Sequence, residues 1–143
     1  FGVNRRDGGR TAPSALNAQE IDVYVALPDG AYLYDARKHA LQLVAASDLR
    51  RVTGYQDFVD DAPLDRVYVA DYSRMKMVPA SSRESYASAA AGAIAQNVYL
   101  YAASSGLANV IRAWINRSAI SDAVGLTHDQ QVLLSQTVGY PKP

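Results

Sequence analysis

The run ESYASAAAGAIAQNVYLYAASSGL, Glu84 to Leu107, decides the architecture of this 143-residue chain. Apolar and small residues lie nearly all round its helical wheel, among them Tyr86, Ala90, Ala93, Ile94, Val98, Tyr101 and Ala102. The pattern predicts one long helix from Glu84 to Ser105, with Glu84 in the first turn near the positive end of the dipole. Gly106 is its natural stop. A helix apolar on all sides belongs at the centre of a core or in an interface. It offers more apolar surface than a monomer of this pattern easily covers, so a dimer is expected. Ser88, Gln96 and Asn97 interrupt its least polar part, and a membrane span needs roughly 20 strongly apolar residues. It therefore reads as a buried helix of a soluble protein.

The segments on either side read as strands and short helices. Ile21 to Leu27 alternates apolar with other residues, as a half-buried strand does. Pro28-Asp29-Gly30 is turn chemistry, with proline presetting φ and glycine supplying a positive φ. Ala31 to Asp35 is the returning strand and Ala40 to Val44 a third, short one. Pro13 to Asn17 opens a short helix with Ser14 or Asn17 as a local cap. Asp48 to Gly54, Gln56 to Asp61 and Ser73 to Met77 are short helical candidates. Leu64 to Ala70 is a strand bounded by Pro63 and Asp71. Beyond Gly106 come a mixed stretch through Trp114, a helix from Ser118 to Val124 closed by Gly125, and a strand from Gln131 to Val138. The element order is α+β.

Composition narrows the function classes. Fourteen basic and 14 acidic side chains give zero formal net charge. Nucleic acids and anionic membranes attract a basic surplus, so neither is expected as a partner. The absence of cysteine removes disulfides, thiolate catalysis and cysteine-ligated metal sites. Apolar residues at 49% and charged ones at 20% are ordinary for a globular protein. The length fits one domain, residues 1–143, with its own core. The chain opens at Phe1 without an initiator methionine or an apolar signal core, and reads as cut into rather than beginning there. With no export signal, the cytoplasm is the expected compartment.

Most site chemistries find no support. Asp60-Asp61 are neighbours and do not face one another on a helix. His39 and His128 sit far apart in polar contexts with no HExxH spacing, so no metal site is expected. Ser14 lies outside a G-x-S-x-G elbow, and Gly8-Gly9 lacks the P-loop lysine. What remains is a set of polar residues where packing does not demand them: Asn17, Gln19, Gln96, Asn97 and Arg112, with Trp114 nearby. Each has a structural explanation: Asn17 caps a helix, Gln96-Asn97 tie the long helix to a loop, and Trp114 fills core. As a set they suit a planar cofactor with polar edges, which takes amides at its rim and apolar surface at its faces.

These residues fall in stretches that resemble the FMN-dependent nitroreductase superfamily, and more narrowly its SagB/ThcOx-like branch. The matching segments are Gly9-Arg10-Thr11-Ala12-Pro13-Ser14-Ala15-Leu16-Asn17-Ala18-Gln19, Ala95 to Ala103, Gly106-Leu107, and Leu133 to Pro141. They occur in the family's order and cover nearly the whole chain. The resemblance implies a nitroreductase-like α+β fold, an antiparallel-rich sheet flanked by helices. It implies a homodimer with FMN in each of two interface clefts and NAD(P)H as the electron donor. Pro13, Ser14, Asn17 and Gln19 would lie along the flavin and its ribityl chain. Arg112, Ala113 and Trp114 would approach the ring near N5, and Lys142 would help to hold the phosphate. No side chain is expected to act as a catalytic nucleophile or base.

Three departures from the family accompany this. An N-terminal Arg-x-Ser-x-Arg-type phosphate grip is not in this sequence, which is read as N-terminally truncated. Position 108 is alanine where many relatives have glycine, and little of the usual C-terminal tail follows Lys142. The leading expectation is an oxidoreductase that passes hydride from NAD(P)H through FMN to a small-molecule acceptor such as a nitroaromatic, a quinone or an azoline. The alternative is a degenerate dimerisation module that does not bind FMN.

Overall fold

The computed structural model describes residues 1–142. Its frame is a sheet of six strands: β1 Ile21–Leu27, β2 Gly30–Asp35, β3 Ala40–Ala45, β4 Leu64–Asp71, β5 Ala108–Arg112 and β6 Gln130–Gly139. They lie in the order β3-β2-β1-β4-β6-β5, and every neighbouring pair is antiparallel. Two helices flank it, α1 Ala80–Ser104 and α2 Arg117–Val124. The two-residue period of the strands divides their side chains between two cores. Ile21, Val23, Val25, Tyr68 and Ala70 meet Ala87, Ala90, Ala91, Ile94 and Ala95 of α1. Tyr24, Val67, Val69 and Val132 face the other way, onto Ile115 and Ile120.

The long helix forms as the alanine-rich run predicts, but it starts at Ala80 directly after Pro79, with no acidic residue in its first turn. Glu84 is thus the fifth residue and not the dipole partner expected. Gly106, at φ 66°, adopts the left-handed conformation that ends helices. The helix is apolar all round but not buried all round. Its sheet-facing side is sealed, while Tyr86, Leu100 and Tyr101 are 48%, 62% and 68% exposed.

Other corrections are local. Gly30 does not take a positive φ; a Cβ there would stand 2.9 Å from the Ala45 carbonyl oxygen, so close approach of β3 is what excludes a side chain. Gln56 to Asp61 is turn and bend rather than helix. Asp48 to Gly54 and Ser73 to Met77 reduce to single 3-10 turns, Arg50–Thr53 and Tyr72–Arg74. The mixed stretch after Gly106 is the edge strand β5, paired along its length with β6. Gly125 closes α2 in the left-handed conformation, as expected.

Candidate functional site

The Pro13–Gln19 loop is built under backbone strain. Leu16, Asn17 and Gln19 have φ values of 52°, 54° and 51°. Non-glycine residues resist this region, which costs on the order of 1 kcal/mol or more each and recurs at binding sites. Side chains hold the shape. The Ser14 hydroxyl accepts from the Gln19 N–H at 2.9 Å. Gln19 Nε2 donates to the Gly8 carbonyl and to Asn17 Oδ1, both at 3.1 Å. Arg74 donates to the Gln19 carbonyl at 2.9 Å and pairs with Asp22 and Asp71. Ser14 occupies the N-cap position of the single 3-10 turn here without a side-chain cap bond, and Asn17 is the last residue of that turn rather than its cap; Leu16 and Asn17 are exposed. Asn97 ties α1 to this region, as one reading had it, by donating to the Thr11 carbonyl at 3.2 Å. Gln96 faces solvent.

Glu20 follows the loop, fully buried, and neither of its carboxylate oxygens has a hydrogen-bond partner. Burial raises its pKa, offset in part by its own backbone N–H and by Arg74. The folded chain therefore holds this proton to higher pH than the unfolded chain, and stability falls as pH rises through that window. Glu20→Gln mimics the protonated form. It is expected to raise Tm more at pH 8 than at pH 4, checked by thermal unfolding at both; an equal shift at both would show the carboxylate is not paying a desolvation cost.

The end of β5 is organised by charge. Arg112 is 5% exposed. Its guanidinium donates to Asp65 at 2.9 Å, to the Thr53 carbonyl at 2.8 Å and hydroxyl at 3.1 Å, and to Gln56 Oε1 at 3.2 Å. Thr137 also donates to Asp65. Burial pushes Asp65 up to about 6, against the pull of Thr137, Arg112 and Arg50. The Arg112 side chain thus faces inward, and what this segment offers outward is Ala113 and Trp114. Trp114 does not fill core: it is 70% exposed, tilted against Tyr55 with centroids 5.3 Å apart.

Lys142 lies in a third place, lining a cavity of about 570 Å³ with Phe58, Asp61, Asn109, Val110 and Tyr140. The sheet register separates it from the loop. Pro13–Gln19 enters β1 at the level where Ile21 faces Ala70 and Ala70 faces Gln131. Gly139 leaves β6 beyond the level of Leu64 and Val138. The six steps from Ala70 to Leu64 are roughly 20 Å at about 3.3 Å per residue. Within one chain the structure brings together Pro13, Ser14, Asn17 and Gln19; it keeps them apart from Lys142, and Trp114 follows β5, which β4 and β6 separate from β1. Among the described residues no group of three His, Cys, Asp or Glu side chains could hold a metal. No described helix is long and apolar enough to cross a membrane.

The arrangement has relatives. The Nitroreductase family model matches residues 6–140. The chain belongs to the Nitroreductase family. A crystal structure of a candidate nitroreductase from Ralstonia eutropha JMP134 superposes with a TM-score of 0.93 at 52% identity, covering 99% of this chain and 68% of that one. The nitroreductase fold expected from the sequence is therefore the fold observed. A candidate nitroreductase of Methanocaldococcus jannaschii is 30% identical over 120 residues, 77% of this chain. The chain spans 61% of that relative's length. An NADPH:FMN oxidoreductase of Vibrio harveyi, solved in complex with NAD+, has the same fold at 21% identity and a TM-score of 0.65, covering 93% of this chain and 55% of that one.

Two neighbours of the predicted positions were not singled out from the sequence: Asp65, which pairs with Arg112, and Tyr55, which packs on Trp114. A signal existed for the first: Asp65 shares the strand face of Val67 and Val69, so strict alternation puts a carboxylate where an apolar residue belongs. Tyr55 lies between two stretches read as short helices, Asp48 to Gly54 and Gln56 to Asp61, and carries no signal of its own.

Proposed function

We propose that this chain is part of an FMN-dependent oxidoreductase that takes reducing equivalents from NAD(P)H and delivers them to a small-molecule acceptor, a nitroaromatic or a quinone. The observation that carries this reading is the Pro13–Gln19 loop, three of whose residues are held left-handed in a stretch that resembles the family's flavin-contacting motif. Strain of that kind persists where surrounding structure enforces it for a purpose.

The donor set suits a flavin. Asn17 and Gln19 offer amide donors and acceptors for a polar ring edge, and Ala113 with Trp114 brings an apolar segment beside it. Lys142 supplies a positive charge for a phosphate. The bound flavin would supply the hydride chemistry, and the protein position and electrostatics. Asn17 and Gln19 would orient the ring through a loop already in its strained shape, so little ordering remains to oppose binding. The segment Arg112–Trp114 would close the side near N5, the Arg112 side chain acting only as its anchor. No residue is assigned a proton or a nucleophilic role.

The separation of these groups supports a site shared by two copies. A ligand touching both Pro13–Gln19 and Lys142 of one chain would have to run the length of the sheet, whereas two copies bring one cluster from each. The exposed Tyr86, Leu100 and Tyr101 of α1 are apolar surface that such a homodimer would cover. The alternative reading, a flavin-free dimerisation module, draws on the phosphate end: Lys142 shares its cavity with Asp61, and an isolated lysine holds a dianion less well than paired arginines.

Asn17→Ala tests the assignment. FMN affinity should fall about tenfold, roughly 1.4 kcal/mol, measured by flavin fluorescence quenching, with an unchanged circular dichroism spectrum. Wild-type affinity in this variant would take the loop out of the site.

A further inference from the structure

The Tyr55–Trp114 pair is surface that the fold itself does not use. Trp114 is 70% exposed and Tyr55 46%, so both rings face water although each meets the other at 5.3 Å. Exposed tryptophan is uncommon on a surface without a partner, and aromatic pairs concentrate at binding sites. The pair is also mounted rigidly. Its two carriers come from distant parts of the chain, the 53–56 segment and the end of β5. Gln56 Nε2 donates to the Trp114 carbonyl at 3.3 Å, and Gln56 Oε1 accepts from the buried Arg112 at 3.2 Å. Thr53 accepts twice from the same guanidinium. Gly54 lies so close that a Cβ there would overlap Arg112. Arg117 secures the backbone from the other side, donating to the Ala113 carbonyl at 3.3 Å. A fixed pair of electron-rich rings, open on its outer faces, recognises a flat electron-poor ring by offset stacking. It does so without first ordering itself.

We propose that Tyr55 and Trp114 form the docking platform for a planar, electron-poor aromatic acceptor, with Arg112 as the positioning residue that mounts it. The inference rests on the flavin-oxidoreductase reading for its place in the reaction, because Trp114 ends the segment proposed to lie near N5. With a quinone as acceptor, NAD(P)H is oxidised to NAD(P)+. The quinone gains that hydride and one proton from solvent, becoming the hydroquinone.

The test uses 1,4-naphthoquinone against hexacyanoferrate(III), an acceptor with no ring to stack, on the protein as purified and on Tyr55→Ala and Tyr55→Phe. Calorimetry reads naphthoquinone binding without turnover, and steady-state kinetics reads KM for each acceptor. Tyr55→Ala should raise Kd and KM for naphthoquinone about fivefold. Its KM for hexacyanoferrate(III) should stay within about twofold, and Tyr55→Phe should restore the wild-type values. Naphthoquinone constants unchanged in Tyr55→Ala, equal rises for both acceptors, or no naphthoquinone binding by the wild-type protein would each overturn the platform. Tyr55-dependent binding in a protein that turns over neither acceptor would uphold the platform and defeat the flavin reading instead.

Discussion

Asp65→Ala is expected to lower folding stability by about 3–5 kcal/mol, the range for breaking a buried ion pair by removing one partner. Asp65 is fully buried and Arg112 nearly so. Deleting the carboxylate leaves a guanidinium in the interior, with the Thr53 and Gln56 oxygens as its neutral partners. Urea unfolding at pH 7 reads the loss directly. Replacing both partners, Asp65→Leu with Arg112→Met, should recover most of it, because an apolar pair has no desolvation to overcome. A pH signature accompanies this. Asp65 titrates near its ordinary value of 3.8 in the unfolded chain and about 6 in the folded one, with desolvation as the dominant cause. Between those values the folded state carries the extra proton, so the Asp65 contribution to stability falls as pH rises from 4 to 6. Asp65→Asn should remove that component of the slope. A mild loss in Asp65→Ala with an unaltered pH profile would mean that the pair is not buried as described.

Gly54→Ala should cost about 1–3 kcal/mol by overpacking. The backbone at Gly54 is extended, φ −179°, so nothing in its conformation demands glycine. The demand is spatial: an added Cβ would overlap Arg112 Nη1 and stand 2.6 Å from Gln56 Oε1. Arg112 is held on several sides and cannot swing away as a surface arginine would. The variant should therefore loosen the Thr53–Gln56 segment along with the fold. The emission maximum of Trp114, the only tryptophan, should shift because Gln56 no longer holds its carbonyl. Wild-type stability with wild-type emission would show that the segment has slack.

The strands were legible because their side chains alternate or run apolar between turn residues, and β1 and β4 emerge within a residue of where that pattern puts them. The long helix was legible for a similar reason, yet its start was not. Ala80 and Ser81 are as permissive of helix as of loop, and Pro79 is tolerated just before a first turn. β5 escaped because a five-residue edge strand with Asn109 and Arg112 in it has no period of its own; its pairing with β6 creates it. Within the site, the amides of Asn17 and Gln19 stood out as polar residues with no packing role. Their left-handed backbone did not, since nothing in Leu16 or Gln19 announces a conformation those residues resist. The side-chain fate of Arg112 was hidden as well. Its partners Thr53 and Asp65 are remote in sequence, and only tertiary packing joins them. The sequence left two readings of Trp114, core filler or neighbour of N5, and its 70% exposure excludes the first.

The measurement that bears most directly on the account is a titration of the purified chain with FMN, followed by absorbance and by light scattering on the same sample. The account predicts uptake of one FMN per chain in a particle of twice the chain mass, and bleaching of the bound flavin on addition of NAD(P)H. A colourless protein that takes up no FMN at micromolar concentration, whether one chain or two, would contradict it.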